Sequence, residues 1–403
     1  MVQKIDLTGL NFKRDPMPTF AALRAQGPVV ETKIPFLGKI SLVTTHSAVN
    51  ALLKDSDRFC VDASSSGRKY QLGVQWWMPK SLKLLAESML GKDDPDHRRL
   101  RNLVDQAFHR RSVDAYREGI ERIADRLIDQ FQHSTDRDLV RHMARPLPLA
   151  VICELLGLPL EDQPKFIRWM SGISSISNIF GIFKIVPFIN KLSDYLRDQF
   201  EDRRKNPRDD LISGLVQAES EGQQLSENEL LSMCFLLFVA GHETTTHLIS
   251  GSVLALLQDR HVLSQLENDW SKIPGAVEEL LRFVSPVQMT KPRFSIEDTD
   301  FFGSSIAKGT PLVALLASAN CDPDVFDHPE RLDIDRKKIH HLAFGTGAHF
   351  CLGLQLARLE AQIVLQKMFQ RFPAMSLAVP ESNLRWTKRV GIRALTNLPL
   401  NLQ

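Results

Sequence analysis

One stretch of the sequence combines a thiol with three glycines. Residues 344–353 read Phe-Gly-Thr-Gly-Ala-His-Phe-Cys-Leu-Gly, and an amphipathic helical pattern follows them. The first N–H groups of a helix have no partner within it, and the helix dipole adds positive potential there, so Cys351 is expected to lose its proton readily. Gly345, Gly347 and Gly353 permit a tight loop and the close approach of a flat ligand. The pattern predicts a thiolate held beneath a planar metal cofactor.

The other cysteines argue against a zinc site. Zinc usually takes three or four Cys or His ligands at short spacing, whereas the remaining cysteines are scattered singly, at Cys60, Cys153, Cys234 and Cys321. An odd total of five cysteines without a paired pattern also indicates a reducing compartment. For a lone thiol such as Cys351, a buried structural cysteine in a glycine-rich turn is the ordinary alternative.

A second stretch places an acid next to an alcohol inside a long apolar helical pattern, from Ala240 through Gly241 to Glu243 and Thr244. A carboxylate is costly in apolar surroundings, and a glycine inside a helix costs about 1 kcal/mol relative to alanine. Gly241 is therefore expected to make room for a neighbour, while Thr244 can hydrogen-bond back to the carbonyl of Ala240. The alternative is a threonine-rich helix in the core with Glu243 in solvent.

The glycine-rich loop resembles the haem-binding loop of the cytochrome P450 monooxygenases in its bacterial form. The residues that carry the resemblance are Phe344, Gly345, Gly347, His349, Cys351 and Gly353. The resemblance implies a mainly α fold with a minor β part, a triangular helical prism with a long central helix over the haem. It also implies haem b as the cofactor, with Cys351 as the axial thiolate ligand of the iron. Thr244 would contact the oxygen substrate and Glu243 would deliver protons, beside Ala240 and Gly241 at the open face of the haem.

Four cations match positions that contact the haem propionates in bacterial members of the family. Two carboxylates inside a protein need cationic partners. His97 and Arg101 lie four residues apart and share a helix face, Arg293 follows a proline-rich segment, and His349 lies in the thiol loop. For any one of them, a solvated surface cation is the alternative.

Glu279 and Arg282 fit the Glu-x-x-Arg signature of the same family. An exposed pair at this spacing contributes only ~0.2 to 0.5 kcal/mol to a helix. Glu278 is also placed to meet Arg282, so spacing alone does not select the partner. The resemblance selects Glu279 and adds Arg331 as a third member, with a structural role in the core beside the thiol loop.

The composition is that of an ordinary globular protein, with 43% hydrophobic and 24% charged residues in a chain of 403. A net charge of +2 argues against a nucleic-acid partner. The first residues lack the pattern of a secretion signal, and the longest apolar run, residues 233–241, is shorter than the ~20 residues of a membrane span. We therefore expect a cytoplasmic monomer without a membrane anchor.

The chemical motifs lie between residues 97 and 351 and make sense if they converge on one cofactor, so a single cytochrome P450 domain over residues 1–403 is expected. Its β part is expected as a hairpin near residues 28–45, short strands at 287–316 and further strands at 375–400. The rest of the chain is expected to be helical.

Other patterns predict one long helix and two segments near the substrate. Ser226 and Glu229 have capping-box spacing, so a helix should begin there and end near Gln258. The irregular residues 60–90 predict a binding loop. The apolar, glycine-broken residues 166–188 predict either a mobile lid or ordinary core.

The resemblance also implies a reaction and its partners. The segments that would face the substrate are mostly apolar, which predicts a hydrophobic small molecule such as a fatty acid, terpenoid, steroid or polyketide. One atom of O2 would be inserted into a C–H or C=C bond, with electrons from NAD(P)H delivered by a separate ferredoxin or flavodoxin. A basic collar for this acidic partner is expected from Arg98, Arg99, Arg110, Arg111 and Arg358.

Two other functions are open at this point. A peroxide-driven peroxygenase on the same fold needs no proton-delivery pair, so Glu243 and Thr244 count against it. A haem sensor or electron-transfer protein without substrate turnover needs no apolar substrate site, so the apolar segments count against that function.

Overall fold

The elements described here come from a computed structural model that covers residues 5–34, 38–67, 88–109, 113–174, 181–220, 225–337 and 339–402. Several expected features fall outside these ranges. They are residues 68–87 of the expected binding loop, residues 175–180 of the expected lid, and Arg110 and Arg111.

Most of the described chain is helical. The helices are α1 (Leu10–Arg14), α2 (Met17–Arg24), α3 (His46–Lys54), α4 (Asp96–His109), α5 (Arg117–Gln132), α6 (Pro146–Leu155), α7 (Gln163–Ser174), α8 (Gly181–Lys205), α9 (Leu211–Ser220), α10 (Glu227–Gln258), α11 (Arg260–Asn268), α12 (Ile273–Val284), α13 (Leu316–Ala319) and α14 (Leu354–Arg371). Within the described ranges, no helix is both long enough and apolar enough to cross a membrane.

The strands form one mixed sheet and two small ribbons. They are β1 (Val29–Ile34), β2 (Gly38–Val43), β3 (Phe59–Cys60), β4 (Arg293–Ser295), β5 (Thr299–Phe301), β6 (Ser304–Ile306), β7 (Pro311–Ala314), β8 (Ser376–Leu377) and β9 (Leu400–Asn401). The mixed sheet has the order β1-β2-β7-β4-β3, and β5-β6 and β8-β9 are the ribbons. The expected hairpin is confirmed, because β1 and β2 pair antiparallel with Val29 opposite Val43. The mainly α composition with a minor β part is likewise confirmed.

Backbone packing divides the chain into two compact units. The first unit comprises Met1–Gly73, Ala124–Ala144 and Thr244–Gln403, and the second comprises Val74–Ile123 and Arg145–Glu243. All of the described strands belong to the first unit. Helix α10 passes from the second unit into the first between Glu243 and Thr244. The single domain over residues 1–403 stays a prediction.

In the first unit the mixed sheet packs on α3. Val49 and Leu52 are buried one turn apart in α3 and share a core cluster with Val43 of β2 and Leu312 of β7. Burying each of these side chains stabilises the fold by roughly 1.5 to 3 kcal/mol. Helix α3 therefore has a fixed position on the sheet, which matters because its last turn contacts the thiol loop.

In the second unit, the first residues of the apolar stretch 166–188 are packed in the hydrophobic core. The Phe166 side chain is fully buried and stacks on Phe238 of α10 with ring centroids 5.3 Å apart. Trp169 and Tyr195 meet Phe166 edge-on at 5.4 and 5.2 Å. Aromatic pairs of this kind add roughly 0.5 to 1.5 kcal/mol each to their burial. This end of the stretch therefore follows the core alternative.

Helix α10 begins where the capping-box spacing predicts. The backbone N–H of Ser226 donates to Glu229 Oε2 at 2.8 Å, and the N–H of Glu229 donates to Ser226 Oγ at 3.3 Å. Each side chain thus satisfies an N–H group that the helix leaves without a partner. The helix ends at Gln258, as expected.

The Glu-x-x-Arg pair forms a fully buried cluster at the end of α12. Arg282 donates to both carboxylate oxygens of Glu279, at 2.8 and 2.6 Å. It also donates to the carbonyls of Asn320, Pro329 and Arg331. The pair thereby holds the connection between α13 and α14 on α12.

The third arginine of this cluster is Arg336, and the expectation of Arg331 is wrong. Arg336 Nε lies 3.1 Å from Glu279 Oε2, and its side chain is 8% exposed. The Arg331 side chain is 72% exposed, and that residue contributes its backbone carbonyl instead. Both arginines lie in the same polar segment between α13 and α14. The sequence pattern could therefore not tell which side chain would point into the core.

Candidate active site

Cys351 lies two residues before Gly353, the N-cap of α14. Its N–H donates to the carbonyl of Phe344 at 3.0 Å, and the N–H of Phe350 donates to the carbonyl of Gly347 at 3.1 Å. These bonds tie the two ends of the loop together. The thiol therefore lies just ahead of the first helical turn, close to the free N–H groups that the sequence predicted beside it.

Two glycines give the loop its shape. Gly345 and Gly347 have φ of +68° and +74°, in the left-handed region. At Gly347 an added Cβ would come within 2.1 Å of the carbonyl oxygen of Leu53 in α3, so only a hydrogen fits. At Gly345 and at Gly353 an added Cβ would meet no atom of the described residues within 4 Å, the adjoining residues aside. The loop thus rests on α3 at one glycine and is open at the other two, as a flat ligand lying against it requires.

Cys351 differs from the other cysteines in its surroundings. Cys60, Cys153, Cys234 and Cys321 are buried, whereas Cys351 is partly exposed. Burial raises the pKa of Cys153 and Cys234 to about 12 and that of Cys321 to about 11. Because a metal takes the thiolate and not the thiol, these three are poor ligands. The donor set fits a haem bound through one thiolate, at Cys351.

The predicted acid and alcohol lie in the middle of α10. Glu243 and Thr244 are both partly exposed, and Ala240, one turn earlier, is exposed. An added Cβ at Gly241 would come within 2.7 Å of Ile152 Cδ1, so this glycine makes room for α6. Gly241 was expected to leave space for a neighbour, and that neighbour is Ile152. The roles of these residues toward a cofactor stay predictions.

The predicted propionate partners lie in both units. In the first unit, Arg293 begins β4 with its side chain buried, and His349 in the thiol loop is partly buried. In the second unit, α4 presents a buried His97 with Arg101 one turn later. Burial lowers the pKa of His97, Asp94 opposes this shift, and Arg101 adds to it. His97 is thus held toward its neutral form, in which one ring nitrogen donates a hydrogen bond.

The described arginines of the expected basic collar each pair with a carboxylate of the same chain. The pairs are Arg98 with Asp94, Arg99 with Glu229 and Arg358 with Glu278. Pairing reduces the positive charge that these groups would offer to an acidic partner. They therefore give the expected docking surface no support.

The sequence pattern assigned no role to His341, three residues before Phe344. Its Nε2 lies 3.2 Å from Oε2 of Glu278 in α12. In the sequence, the only feature that points to this contact is the presence of a histidine close to the thiol loop. The partner lies 63 residues earlier in the chain, so the sequence alone could not pair them.

The comparisons with known proteins cover nearly the whole chain. The family model described as Cytochrome P450 matches residues 42–387. The polyketide biosynthesis cytochrome P450 PksS of Bacillus subtilis (strain 168) is 39% identical over 98% of this chain and 97% of its own length. The monooxygenase PikC of Streptomyces venezuelae is 36% identical over 97% of this chain and 92% of its own.

Solved structures show the same likeness. The structure of PksS superposes with a TM-score of 0.90 at 38% identity, over 99% of this chain and 100% of that one. P450BioI, in complex with acyl carrier protein ligated to hexadec-9Z-enoic acid, gives a TM-score of 0.86 at 35% identity, over 97% and 99%. The expected fold is therefore confirmed. The chain belongs to the cytochrome P450 family of oxidoreductases, whose cofactor is a haem held by a cysteine thiolate.

Proposed function

We propose that the chain is a monooxygenase that binds haem b through Cys351 and inserts one atom of O2 into a hydrophobic small molecule. The observation that carries this proposal is the contrast among the cysteines. Cys351 is partly exposed in a glycine loop with open space beside it, while the other four are buried. A thiolate ligand gives a bound haem the electron donation that favours O–O cleavage.

The residues of α10 would manage protons at the open face. Thr244 would hold a hydrogen bond to the oxygen substrate, and Glu243 would relay protons from solvent, to which it is partly exposed. Ala240, which is exposed, would line this face without a bulky side chain, and Gly241 would keep this turn of α10 close to α6.

Two arginines and two histidines would hold the propionates. Arg293 is a buried guanidinium in β4, and a buried guanidinium is well suited to a carboxylate because it donates two parallel hydrogen bonds. Arg101, His97 and His349 would complete the set. His97, whose pKa is lowered by burial, would then act as a hydrogen-bond donor, and the arginines would supply the charge.

The expected substrate classes are fatty acids, terpenoids, steroids and polyketides, and the name of one relative favours polyketides. PksS is named for polyketide biosynthesis. We therefore assign a hydrophobic polyketide-type substrate, with C–H hydroxylation or C=C epoxidation as the reaction. Electrons would come from NAD(P)H through a separate ferredoxin or flavodoxin, as the family resemblance implies.

The first test is the carbon monoxide difference spectrum of the reduced, haem-loaded protein. A thiolate-bound ferrous haem gives a strongly red-shifted Soret band, which Cys351→Ala should abolish. Cys321→Ala is the matched control, because that thiol is buried and should leave the band intact. An unchanged band in Cys351→Ala would contradict the proposal.

The second test addresses the reaction. The protein with a surrogate ferredoxin, its reductase and NADPH should oxidise members of a panel of macrolactones and linear polyketides in air. Turnover with hydrogen peroxide but none with the reductase would identify a peroxygenase instead. No spectral shift with any lipophilic compound, together with no oxygen-dependent product, would identify a sensor or electron-transfer protein.

A further inference from the structure

Glu278 lies beside the buried Glu279 in α12 but has a separate set of partners. Arg358 of α14 donates to both of its carboxylate oxygens, Nε to Oε1 at 2.6 Å and Nη2 to Oε2 at 2.8 Å. His341 Nε2 lies 3.2 Å from Oε2. This bidentate geometry is the most directional form of an ion pair between side chains. We call these three residues the Glu278 clamp.

The two donors of the clamp also contact Phe344, the first residue of the thiol loop. The Arg358 guanidinium lies 4.9 Å from the centroid of the Phe344 ring, and the His341 ring lies 5.8 Å from it. A guanidinium over an aromatic face is attractive, and more so where water is partly excluded. Phe344 is therefore in contact with two groups that Glu278 fixes.

His341 also reaches the backbone immediately before Phe344. The N–H of Ala343 donates to His341 Nδ1 at 3.2 Å. With Nδ1 accepting, the ring proton is on Nε2 and points at Glu278, so the hydrogen bonds assign the neutral tautomer. The clamp thus holds the backbone N–H of Ala343 as well as the ring of Phe344.

Phe344 in turn holds Cys351, because its carbonyl accepts the Cys351 N–H at 3.0 Å. A continuous set of contacts therefore runs from Glu278 through Arg358 and His341 to Phe344 and then to the thiol residue. Arg358 is 22% exposed, with two of its nitrogens committed to Glu278. A guanidinium that is mostly buried and bonded in this way can hold neighbouring residues in place.

We infer that Glu278, His341 and Arg358 position Phe344, and through it Cys351, so that the loop presents its thiolate to the haem in one geometry. This inference rests on the proposed role of Cys351. Burial alone would favour a neutral Glu278, but His341 and Arg358 outweigh it and hold the pKa of Glu278 at about 2. Glu278 is therefore held as a carboxylate against its two partners.

The test uses haem-loaded Arg358→Ala, Arg358→Lys and Glu278→Gln, with Lys272→Ala as the control. Lys272 forms an exposed ion pair with Asp335 that does not contact the thiol loop. Two readouts independent of turnover are measured. They are the ratio of unshifted to red-shifted Soret band in the reduced carbon monoxide complex, and the reduction potential of the iron.

We expect Arg358→Ala to raise the ratio of unshifted to red-shifted band about tenfold, the scale of a lost charge-assisted hydrogen bond. Arg358→Lys should restore part of the effect, because lysine keeps the charge but not the bidentate geometry or the planar ring contact. Glu278→Gln should give an intermediate ratio, and Lys272→Ala should match the wild type. The potential should shift in the same rank order.

A wild-type ratio and potential in both Arg358→Ala and Glu278→Gln would overturn the inference. If Arg358→Ala fails to fold, Glu278→Gln decides alone, since it preserves volume and an acceptor, and a wild-type ratio in it counts as refutation. Failure of the proposed function has a different signature. In that case the wild-type protein itself would show no red-shifted band.

Discussion

The carbonyl oxygen of Leu53, in the last turn of α3, lies so close to Gly347 that an added Cβ would be 2.1 Å from it. The thiol loop is therefore laid directly on the end of a helix whose other face is buried against the mixed sheet. A glycine is required there both by the contact and by the left-handed φ of +74°.

Replacing Gly347 should accordingly disturb the loop more than replacing its neighbour. Gly345→Ala introduces only left-handed strain, roughly 1 to 2 kcal/mol. Gly347→Ala adds the clash with Leu53, which should bring a further 1 to 3 kcal/mol or so and weaken haem retention. Urea unfolding and the haem content of the purified variants measure both effects. Equal losses in the two variants would show that the Leu53 contact is unimportant.

The identity of the third arginine can be tested by a matched pair. Arg336→Ala removes one of two buried cations from Glu279 and should lower the free energy of unfolding by roughly 3 kcal/mol or more. Arg331→Ala removes an exposed side chain and keeps the carbonyl that Arg282 uses, so its effect should stay within about 0.5 kcal/mol. Chemical denaturation gives both values. A larger loss of unfolding free energy in Arg331→Ala than in Arg336→Ala would show that Arg331 is the third member of the cluster.

Lys13 links α1 to the segment before β9. Its Nζ donates to the carbonyls of Arg389 and Ile392 at 2.8 and 2.7 Å, and its side chain is buried. Burial, with a contribution from Arg393, lowers its pKa from 10.5 to about 8. Within the described residues this amine thus carries its charge in a poorly solvated place, and the charge opposes folding.

The effect on stability has a definite sign. Between pH 8 and 10.5 the unfolded chain holds the Lys13 proton while the folded chain has released it, so the free energy of unfolding should rise with pH. The rise should approach about 1.4 kcal/mol per pH unit, or roughly 3 kcal/mol in all. Lys13→Met should remove this rise in urea titrations across that window. The same rise in both proteins would assign it to other groups.

The acid and alcohol of α10 give a prediction about coupling. Thr244→Ala should consume NADPH at a similar rate but release most of the oxygen as hydrogen peroxide, and Glu243→Gln should slow product formation roughly 100-fold. Thr245→Ala is the control, because that neighbouring side chain is buried. Product, peroxide and NADPH are measured in the same reaction. Unchanged coupling in Thr244→Ala would remove it from the site.

What the sequence could predict depended on the distance between partners along the chain. The capping box of Ser226 and Glu229 and the β1-β2 hairpin involve near neighbours, so their patterns were sufficient. Glu278 and Arg358 lie 80 residues apart, and each had a plausible local use elsewhere. The choice between Arg331 and Arg336 depended in the same way on which side chain packing turned inward.

Consecutive residues of a helix point about 100° apart. Glu278 and Glu279 therefore engage two ion clusters on different sides of α12, one with Arg358 and one with Arg282 and Arg336. Rotating α12 about its own axis would break both clusters at once. The two clusters thus fix the rotation of α12. A movement of the thiol loop that pulled on Arg358 and Glu278 would also strain the ion pair of Glu279 and Arg282, whose side chains are fully buried.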